Sequence, residues 1–556
     1  MNIKKELASQ IDFNIEGADF ESLIIDSVSS DKGDYCLPCF AFAKALHKSP
    51  VQIANEIQNS LKPSKLIEKT EVVGGYLNFF LNKAEISKQI IENFSGDFSW
   101  SDGKGKTVLI DYAGLNLAKY AHIGHLKTTI LGECLARLFT LAGYNVKRLN
   151  FTGDYGTPFG KMIGGLMLWG SVEDVKARGN DALQEYYVKF NQAEAEDESY
   201  TQMARDIFKK IEDKDPEIYP LYELIIEIGF QDIKNLLNKL GVHFDDYRGE
   251  NYYNQFVPSL VDELNKKHLL KSSENAQIVD LSVYDMSPAI ILKSDGTSIY
   301  TTRDICAVIE RDKEYKFDKM LYVTDVAQSL HFKQVFKVVE LMGNPCYDKV
   351  EHISYGRFSL PDGKISSRRG KQAVLVDLMD YALDKAKDVI KDRHFEIEKP
   401  LDVANKVMRS VINYSVLKVE RAKDCVFEME KAFSFEGETA PYMQYTFTRL
   451  ESILRKYDGK TKEADFGEFN QEIFDLVKMV NDFPRVLKLA LDKREISLVA
   501  NRIMDICKAF NKMYANTKIL GVDNASTKAK VLLIKALRDT LKTGFNLICI
   551  DTLKEM

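Results

Sequence analysis

A short loop rich in histidine has the residue types needed to bind phosphate. Residues 116–125, here called the histidine loop, read Asn-Leu-Ala-Lys-Tyr-Ala-His-Ile-Gly-His and hold two of the eight histidines in the 556-residue chain. Because Gly124 lets a ring approach the backbone, His122 and His125 can both donate hydrogen bonds to phosphate oxygens, and Lys119 adds a positive charge. The loop predicts a site that stabilises charge on a reacting phosphate.

A second basic loop lies far downstream. Residues 361–371, the basic loop, read Pro-Asp-Gly-Lys-Ile-Ser-Ser-Arg-Arg-Gly-Lys. Lys364 is a mobile point charge, and Ser366, Ser367 and Arg368 follow it closely. Taken alone, such a loop is most often a solvated turn. Together with the histidine loop, it predicts a cradle for a pyrophosphate leaving group.

The elements around the histidine loop predict where it sits. A strand-like run at 108–112 precedes it, a helical pattern follows at about 126–142, and a second strand-like run covers 145–151. This alternation is typical of parallel βαβ crossovers. In an open α/β sheet, ligands bind beyond the carboxyl ends of the strands. We therefore expect an α/β fold in which a Rossmann-like, doubly wound parallel sheet carries the loop at that edge.

Three regions of the chain differ in pattern. Residues 1–103 mix helical segments with strand-like runs such as 72–81 and predict a small α+β domain. Residues 104–385 carry the βαβ alternation, interrupted at about 171–239 by a charged, helix-patterned insertion. Residues 386–556 show helical apolar stripes and predict an all-α bundle.

Composition excludes several classes of protein. Lys plus Arg number 76 and Asp plus Glu number 82, so the net charge of −6 excludes a uniformly basic binder but not a basic face on one domain. No leader-like segment opens the chain and no run reaches the roughly 18 apolar residues of a bilayer span, which predicts a cytoplasmic protein without membrane contact. The eight cysteines are expected to be reduced. Cys36 and Cys39 have only His47 as a further nearby ligand, so no structural zinc is expected.

The two loops, in this order, resemble the HIGH and KMSKS signatures of class I aminoacyl-tRNA synthetases. Within that class the chain resembles the arginyl-tRNA synthetase family over nearly its whole length. The residues that carry this resemblance flank the first loop and recur downstream: Asn116, Ala118 and Lys119; Asn150, Gly153, Asp154, Gly156, Thr157, Phe159 and Gly160; Gly249 and Glu250; Tyr300, Thr302, Arg303 and Asp304; Gln328, His331 and Gln334; Gln444, Tyr445 and Arg449.

The resemblance implies ATP-dependent activation of L-arginine to arginyl-adenylate and transfer of the arginyl group to the 3′ end of tRNA(Arg). ATP would bring Mg²⁺, and no other cofactor is implied. The family pattern places catalytic groups around the phosphates at His122, His125, Lys119 and Lys364. It places further ATP contacts at Gly124, Ser366, Ser367 and Arg368.

A substrate guanidinium has a permanent charge and five donors, so its pocket needs carboxylates with aromatic or amide acceptors. The family's guanidinium contacts map onto Glu250, Tyr300 and Asp304. On the residues alone, a surface ion pair between Asp304 and Arg303 is the competing interpretation. For the rest of the amino acid, the resemblance implies Asn116 and Gln328, with Asp111 as a candidate for the α-amino group.

The tRNA contacts implied by the family lie in the two outer regions. Tyr76 and Asn78 match contacts of its N-terminal domain, where an aromatic ring can stack on an unpaired base. Gln444, Tyr445 and the C-terminal Met556 match contacts near the anticodon loop. For Tyr76 and Met556, burial in a core is the alternative. The family also implies a monomer.

Some residues depart from the family pattern, and other enzymes share its loops. Ala113 and Gly114 replace two serines, Leu115 replaces a proline, and Ser367 stands where the second lysine of the basic loop is expected. The alternatives are another class I synthetase, a class I-like nucleotidyltransferase, or a tRNA-binding paralogue without activity. A cysteine enzyme would need zinc ligands that the scattered cysteines do not offer.

Overall fold

The computed structural model describes residues 1–27, 29–273, 275–361, 374–392 and 398–553. The chain divides into two compact units, each built from separate stretches of sequence. The first unit contains Met1–Asp97, Thr446–Arg485 and Met504–Lys542, and the second contains Phe98–Tyr445, Val486–Ile503 and Thr543–Met556.

The N-terminal part of the first unit combines a small sheet with short helices. Its elements are α1 (Ile3–Ser9), α2 (Phe20–Leu23), β1 (Ile25–Asp26), β2 (Tyr35–Pro38), α3 (Ala43–Leu46), α4 (Pro50–Asn59), β3 (Ile67–Val73), β4 (Tyr76–Leu81) and α5 (Lys83–Glu92). The strands pair antiparallel in the order β1-β2-β4-β3. This confirms the predicted α+β character.

One strand prediction in this region was wrong. The run 72–81 is not one strand but the end of β3, a tight turn and all of β4. Gly74 and Gly75 make the turn with φ of 56° and 88°, a left-handed conformation that favours glycine. Because the turn has only two residues, the apolar pattern continues across it.

The second unit begins with the alternating elements that the sequence predicts. They are β5 (Thr107–Asp111), α6 (Gly124–Leu141), β6 (Asn145–Leu149), α7 (Thr157–Trp169), α8 (Val172–Arg178), α9 (Asn180–Glu196), α10 (Ser199–Glu212), α11 (Tyr219–Leu240), α12 (Glu250–Asn254), α13 (Val257–Lys266), β7 (Leu270–Ser273), β8 (Ala276–Val279), β9 (Ala289–Leu292), α14 (Tyr300–Tyr315), β10 (Lys319–Asp325), α15 (Ser329–Leu341), β11 (Val350–Tyr355), β12 (Phe358–Ser359) and α16 (Leu375–Asp392).

A four-stranded parallel sheet forms the centre of this unit. Its order is β11-β10-β5-β6, and every neighbouring pair is parallel. Val108, Leu109 and Ile110 of β5 are fully buried, as both faces of a parallel strand must be when helices cover them. The side chains of α13, α14 and α15 share one apolar core with β5 and β10. The predicted parallel α/β architecture is confirmed, and it places the loop after β5 at the carboxyl edge of the sheet.

The remaining elements are mostly helical. They are α17 (Pro400–Leu417), β13 (Cys425–Val426), α18 (Met429–Ala432), α19 (Ala440–Lys456), α20 (Gln471–Lys493), α21 (Ser497–Asn516) and α22 (Ala525–Leu547). The predicted helical character of the C-terminal region is therefore confirmed. Among the described residues, no helix combines the length and apolarity needed to cross a bilayer.

Candidate active site

The histidine loop is fixed by main-chain bonds to the segment that follows β6. Leu117 N donates to the carbonyl of Gly153 over 3.1 Å, and Gly153 N donates to the carbonyl of Leu115 over 3.0 Å. A Cβ on Gly153 would lie 2.7 Å from Nδ2 of Asn116, so a larger residue there would force the Asn116 side chain to shift. The Asn116 side chain accepts a bond from Ala118 N over 2.8 Å. The loop therefore has a defined shape before any substrate arrives.

Backbone donors also set the orientation of both imidazoles. Nδ1 of His122 accepts a hydrogen bond from Gly124 N at 3.1 Å, and Nδ1 of His125 accepts one from His122 N at 3.2 Å. Since each Nδ1 is an acceptor, a neutral ring carries its proton on Nε2. The ring centroids lie 3.9 Å apart. The loop thus presents two neighbouring Nε2–H donors.

The two rings favour the neutral state. Burial lowers the pKa of His125 to about 4, and burial also lowers the pKa of His122. A Cβ on Gly124 would lie 2.8 Å from Cε1 and Nδ1 of His122, so glycine is required for the ring to lie over the start of α6. Lys119, the third group predicted in this loop, is exposed.

The basic loop lies almost wholly outside the described residues. Lys364, Ser366, Ser367 and Arg368 fall in the stretch 362–373, so their predicted roles stay predictions. The first described residue after that stretch is Val374, which pairs with His122 in an isolated antiparallel bridge. Leu375 N donates to the carbonyl of Ala121 over 2.8 Å. The chain that follows the basic loop is therefore bonded to the histidine loop from Val374 onward.

Glu250, Tyr300 and Asp304 are here called the carboxylate cup, and Glu250 is bonded to the segment that holds the histidine loop. Glu250 N donates to the carbonyl of Thr152 over 3.1 Å. Thr152 directly precedes Gly153, which pairs with the histidine loop. A Cβ on Gly249 would lie 2.2 Å from the Thr152 carbonyl oxygen, so only glycine permits this approach. The start of α12 is thereby held against the segment that holds the histidine loop.

The two carboxylates of the cup have different partners, and neither is the Asp304–Arg303 pair of the competing interpretation. The guanidinium of Arg303 contacts Glu250 Oε2, with Nε at 2.8 Å and Nη2 at 2.6 Å. Asp304 Oδ2 instead lies 2.6 Å from Nε2 of His331. A surface pair between Asp304 and Arg303 is therefore wrong. The ring of Tyr300 is 58% exposed, and its centroid lies 5.0 Å from that of His331.

The two carboxylates of the cup are partly buried. Burial raises the pKa of Glu250, and the nearby Arg303 lowers it again in part. Burial likewise raises the pKa of Asp154 to about 6, with Glu250 adding to the rise. Asp304 also acts electrostatically on Glu250. A cation placed among these carboxylates would meet groups with little solvent around them, where charge interactions are strong.

Asp111, which the resemblance assigned to the substrate's α-amino group, is held by the protein itself. Its Oδ2 accepts a bond from Nη1 of the buried Arg311 at 2.7 Å, and its Oδ1 accepts a longer one from Phe151 N at 3.3 Å. Nε of Arg311 also donates to the hydroxyl of Tyr253. This placement gives no support to a direct substrate contact, because both carboxylate oxygens already accept hydrogen bonds from the protein.

Three other predicted residues are exposed or line a cavity. Gln328 is exposed at the position just before α15. A cavity of about 550 Å³ adjoins the histidine loop, and Asn116 and Lys119 line it together with residues of α9 and α11. The described residues contain no group of three or more His, Cys, Asp or Glu side chains that could hold a metal ion.

The predicted tRNA contacts of the N-terminal part differ in accessibility. Tyr76, at the start of β4, is 40% exposed, and its ring meets that of the exposed Phe40 edge to face at 5.2 Å. Asn78 is buried, and it lies opposite Cys36 and Glu71 in the sheet. The exposed pair of rings is suited to stacking on a base.

The predicted tRNA contacts of the C-terminal region also differ. Gln444 is fully buried, and its Nε2 donates to the hydroxyl of Ser410 at 3.0 Å and to the carbonyl of Asp551 at 2.9 Å. A side chain without exposed surface has no support as an RNA contact. Tyr445 is exposed. Met556 lies outside the described residues.

Sequence reasoning assigned no function to three groups that shape the site. They are Arg303 on Glu250, His331 on Asp304 and Arg311 on Asp111. Their partners lie 53, 27 and 200 residues away in the chain. Arg303 and His331 stood in runs that carried the resemblance, so the family pattern was the one signal that pointed to them.

The parallel sheet, with a histidine loop at its carboxyl edge, is the arrangement of a class I aminoacyl-tRNA synthetase. The family model "tRNA synthetases class I (R), catalytic domain" matches residues 89–429. The models "Arginyl tRNA synthetase N terminal domain" and "DALR anticodon binding domain" match residues 1–81 and 443–556.

Known proteins agree with the family models along the whole chain. Proteins named arginine–tRNA ligase from Halothermothrix orenii and Clostridium perfringens are 37% and 38% identical, over 98% and 100% of this chain and 97% and 100% of theirs. The fold is similar to that of Thermus thermophilus arginyl-tRNA synthetase, with a TM-score of 0.79, 22% identity and 96% of each chain covered. The chain belongs to the arginyl-tRNA synthetase family.

Proposed function

We propose that this chain is an arginine–tRNA ligase, which activates L-arginine with ATP and transfers it to the 3′ end of tRNA(Arg) at the carboxyl edge of the parallel sheet. One observation carries this proposal. Glu250 of the carboxylate cup and the histidine loop are both bonded to the short segment of Thr152 and Gly153. A donor-rich surface for phosphate and an acidic surface for a guanidinium therefore share one framework.

The phosphate end of the site would be formed by the histidine loop and the basic loop. The Nε2–H groups of His122 and His125 would donate to phosphate oxygens, and Lys119 would add charge. Lys364, Ser366, Ser367 and Arg368 would hold the departing pyrophosphate. Mg²⁺ would enter with ATP as part of the substrate.

The reaction needs no nucleophile from the protein. A carboxylate oxygen of arginine would form a bond to the α-phosphorus of ATP while the bond from that phosphorus to the bridging oxygen breaks, and pyrophosphate leaves with the electron pair. The protein supplies positioning and donors aimed at the charge that develops on the phosphate. In the second step a terminal ribose hydroxyl of tRNA attacks the adenylate carbonyl and AMP leaves.

The amino acid would be bound through both of its ends. Glu250 and Asp304 would receive the guanidinium and Tyr300 would flank it. Asn116 and Gln328 would contact the other end of the molecule. Asp111 would act indirectly, because its ion pair with Arg311 fixes the ends of β5 and α14 on which the cup depends.

For tRNA, the best-supported contact is Tyr76 beside Phe40, since both rings are exposed. Tyr445 is the accessible candidate in the C-terminal region, whereas the buried Asn78 and Gln444 would act through the positions of their neighbours. Binding should weaken with added salt, because phosphate contacts release counterions. An affinity that does not change with salt concentration would contradict this interface.

Aminoacylation of total tRNA with each labelled amino acid in turn tests the proposal. Arginine alone should be charged. Citrulline, a neutral analogue, should be rejected by a factor of order 10⁴, because its uncharged ureido group supplies neither the positive charge nor the full set of donors that the carboxylates of the cup would receive from arginine. Charging of any other amino acid at a comparable rate would refute the proposed specificity.

His125→Ala tests the assignment of the phosphate end. Removing one Nε2–H donor should lower kcat by about 10²- to 10³-fold with little change in KM for arginine. An unchanged kcat would show that this histidine takes no part in the reaction.

A monomeric state and a cytoplasmic location are also proposed. Sedimentation would test the first and cell fractionation the second.

A further inference from the structure

Arg303 occupies one oxygen of the carboxylate cup and leaves the other open. Both of its bonds to Glu250 end on Oε2. Among the described residues, no hydrogen bond reaches Oε1 of Glu250. The Glu250 side chain keeps 22% of its surface exposed, whereas that of Arg303 keeps 9%. Arg303 therefore holds the Glu250 carboxylate through Oε2, and Oε1 is still available as an acceptor.

Several further contacts hold the Arg303 guanidinium in one place. Its Nη1 donates to the carbonyl of Ser298 at 3.2 Å and to the Ser298 hydroxyl at 3.0 Å. The ring of Tyr155 lies 5.0 Å from its central carbon, a distance at which an aromatic face attracts a cation. A lysine could not reproduce this planar fork, because it has a single nitrogen.

The charge of Arg303 matters because the surroundings of Glu250 are acidic. The titratable and charged groups around it are Asp154 and Tyr155 after β6, Glu212 of α10 bonded to Tyr155, Arg303 and Asp304 on α14, and His331 of α15 bonded to Asp304. Burial raises the pKa of Glu250, and Arg303 is the group that lowers it.

We propose that Arg303 is a positioning and charge-setting residue for recognition of the substrate guanidinium: it holds Glu250 with Oε1 toward the incoming group and balances part of the cup's negative charge. The inference rests on the proposed function, because it assumes that the cup binds arginine. An internal arginine thereby helps the chain to recognise a second, free one. Without it, Glu250 would be free to rotate and would bind a proton more readily.

Steady-state aminoacylation by Arg303→Ala and the wild-type enzyme tests the proposal. The variant should lose about 10²- to 10³-fold in kcat/KM for arginine, with KM for ATP within threefold of wild type. The acid limb of kcat/KM for arginine should move to higher pH, because the pKa of Glu250 rises when the neighbouring cation is removed. Free guanidinium ion should restore part of the activity at low millimolar concentration, by filling the vacated position.

Two further variants separate positioning from folding. Arg303→Lys keeps the charge without the fork, so it should move the acid limb less than Arg303→Ala while still losing at least tenfold in kcat/KM. Arg248→Ala is a matched control, since Nε and Nη2 of Arg248 both contact Oδ2 of Asp246, a carboxylate outside the cup. It should leave the acid limb of the profile in place.

The outcomes separate the inference from the function on which it rests. If the wild-type enzyme charges tRNA with arginine and guanidinium inhibits it competitively with arginine, the cup is present. An Arg303→Ala variant within threefold of wild type, or one with reduced activity but no shift of the acid limb and no rescue, would then overturn the inference alone. If the wild-type enzyme does not charge arginine, the proposed function itself fails.

Discussion

The histidine loop and the carboxylate cup are held by different kinds of bond. Main-chain N–H groups within four residues set both imidazoles of the loop. Side chains from distant parts of the chain set the carboxylates of the cup, namely Arg303 for Glu250 and His331 for Asp304. The loop is therefore shaped by local backbone geometry and the cup by side-chain pairs between distant residues. We consequently expect the loop to be most sensitive to a change in side-chain size and the cup to a change in side-chain charge.

The largest effect is expected from Asp304→Asn. The amide removes one of the two cup carboxylates, and it leaves the half-buried His331 without its carboxylate partner. Truncating one side of a desolvated, hydrogen-bonded charge pair costs roughly 2–5 kcal/mol in binding, so kcat/KM for arginine should fall by about 10³-fold. KM for ATP should stay within threefold, because the histidine loop does not depend on this charge. Steady-state aminoacylation with each substrate varied in turn measures both values.

Asp312→Asn is the matched control for that variant. Asp312 lies on the same helix, α14, and pairs with Lys349 at 3.4 Å, outside the cup. Its loss should change kcat/KM for arginine by less than threefold. Should Asp304→Asn raise the KM for ATP as much as that for arginine, the loop and the cup would not be independent, and the contrast drawn between them would be lost.

The next largest effects are expected from alanine substitutions at Gly124, in the histidine loop, and at Gly249, which directly precedes Glu250 of the cup. In Gly124→Ala the new methyl group meets only the ring of His122, which can move, so activity should fall about 10- to 100-fold without loss of stability. In Gly249→Ala it meets the Thr152 carbonyl oxygen, which is backbone. Overpacking of that kind should lower Tm by a few degrees as well as reduce activity. Thermal melts and kcat measured side by side test the pair, and equal melting temperatures would count against it.

The smallest expected effect concerns the protonation of His125, which should leave activity near neutral pH unchanged. With a pKa of about 4, His125 should stay neutral far below the usual titration range of histidine. The folded protein then binds fewer protons than the unfolded chain between about pH 4 and 6.5. The stability from this neutral ring is therefore complete above that range and is lost as pH falls through it. NMR of ¹³C-labelled histidine should show an Nε2–H tautomer, and titration near pH 6.5 would contradict the buried setting.

The sequence predicted what depends on local pattern. The strand-loop-helix order around residues 107–141 follows from apolar periodicity, and the structure confirms the parallel sheet to which this order pointed. The hairpin at Gly74 and Gly75 also has a local signal, a glycine pair between apolar runs, but the run 72–81 was interpreted as one strand. That error arose because the apolar pattern of the two strands continues across a turn of only two residues.

The partners within the cup could not be predicted in the same way. Glu250 has cationic residues close to it in sequence, and nothing in spacing selects Arg303, 53 residues away. Asp111 looked available at the end of a strand, although Arg311, 200 residues away, holds it. Such pairings depend on how α12, α14 and β5 pack, which is a property of the assembled fold rather than of any window of sequence.

The bridge between His122 and Val374 connects the backbone of one histidine of the loop to the segment that precedes a helix. Val374 leads directly into α16, which packs along α17. Leu375, the first residue of α16, also donates its N–H to the carbonyl of Ala121, so two main-chain contacts join the histidine loop to the start of this helix. The position of the His122 backbone is consequently set in part by the placement of α16.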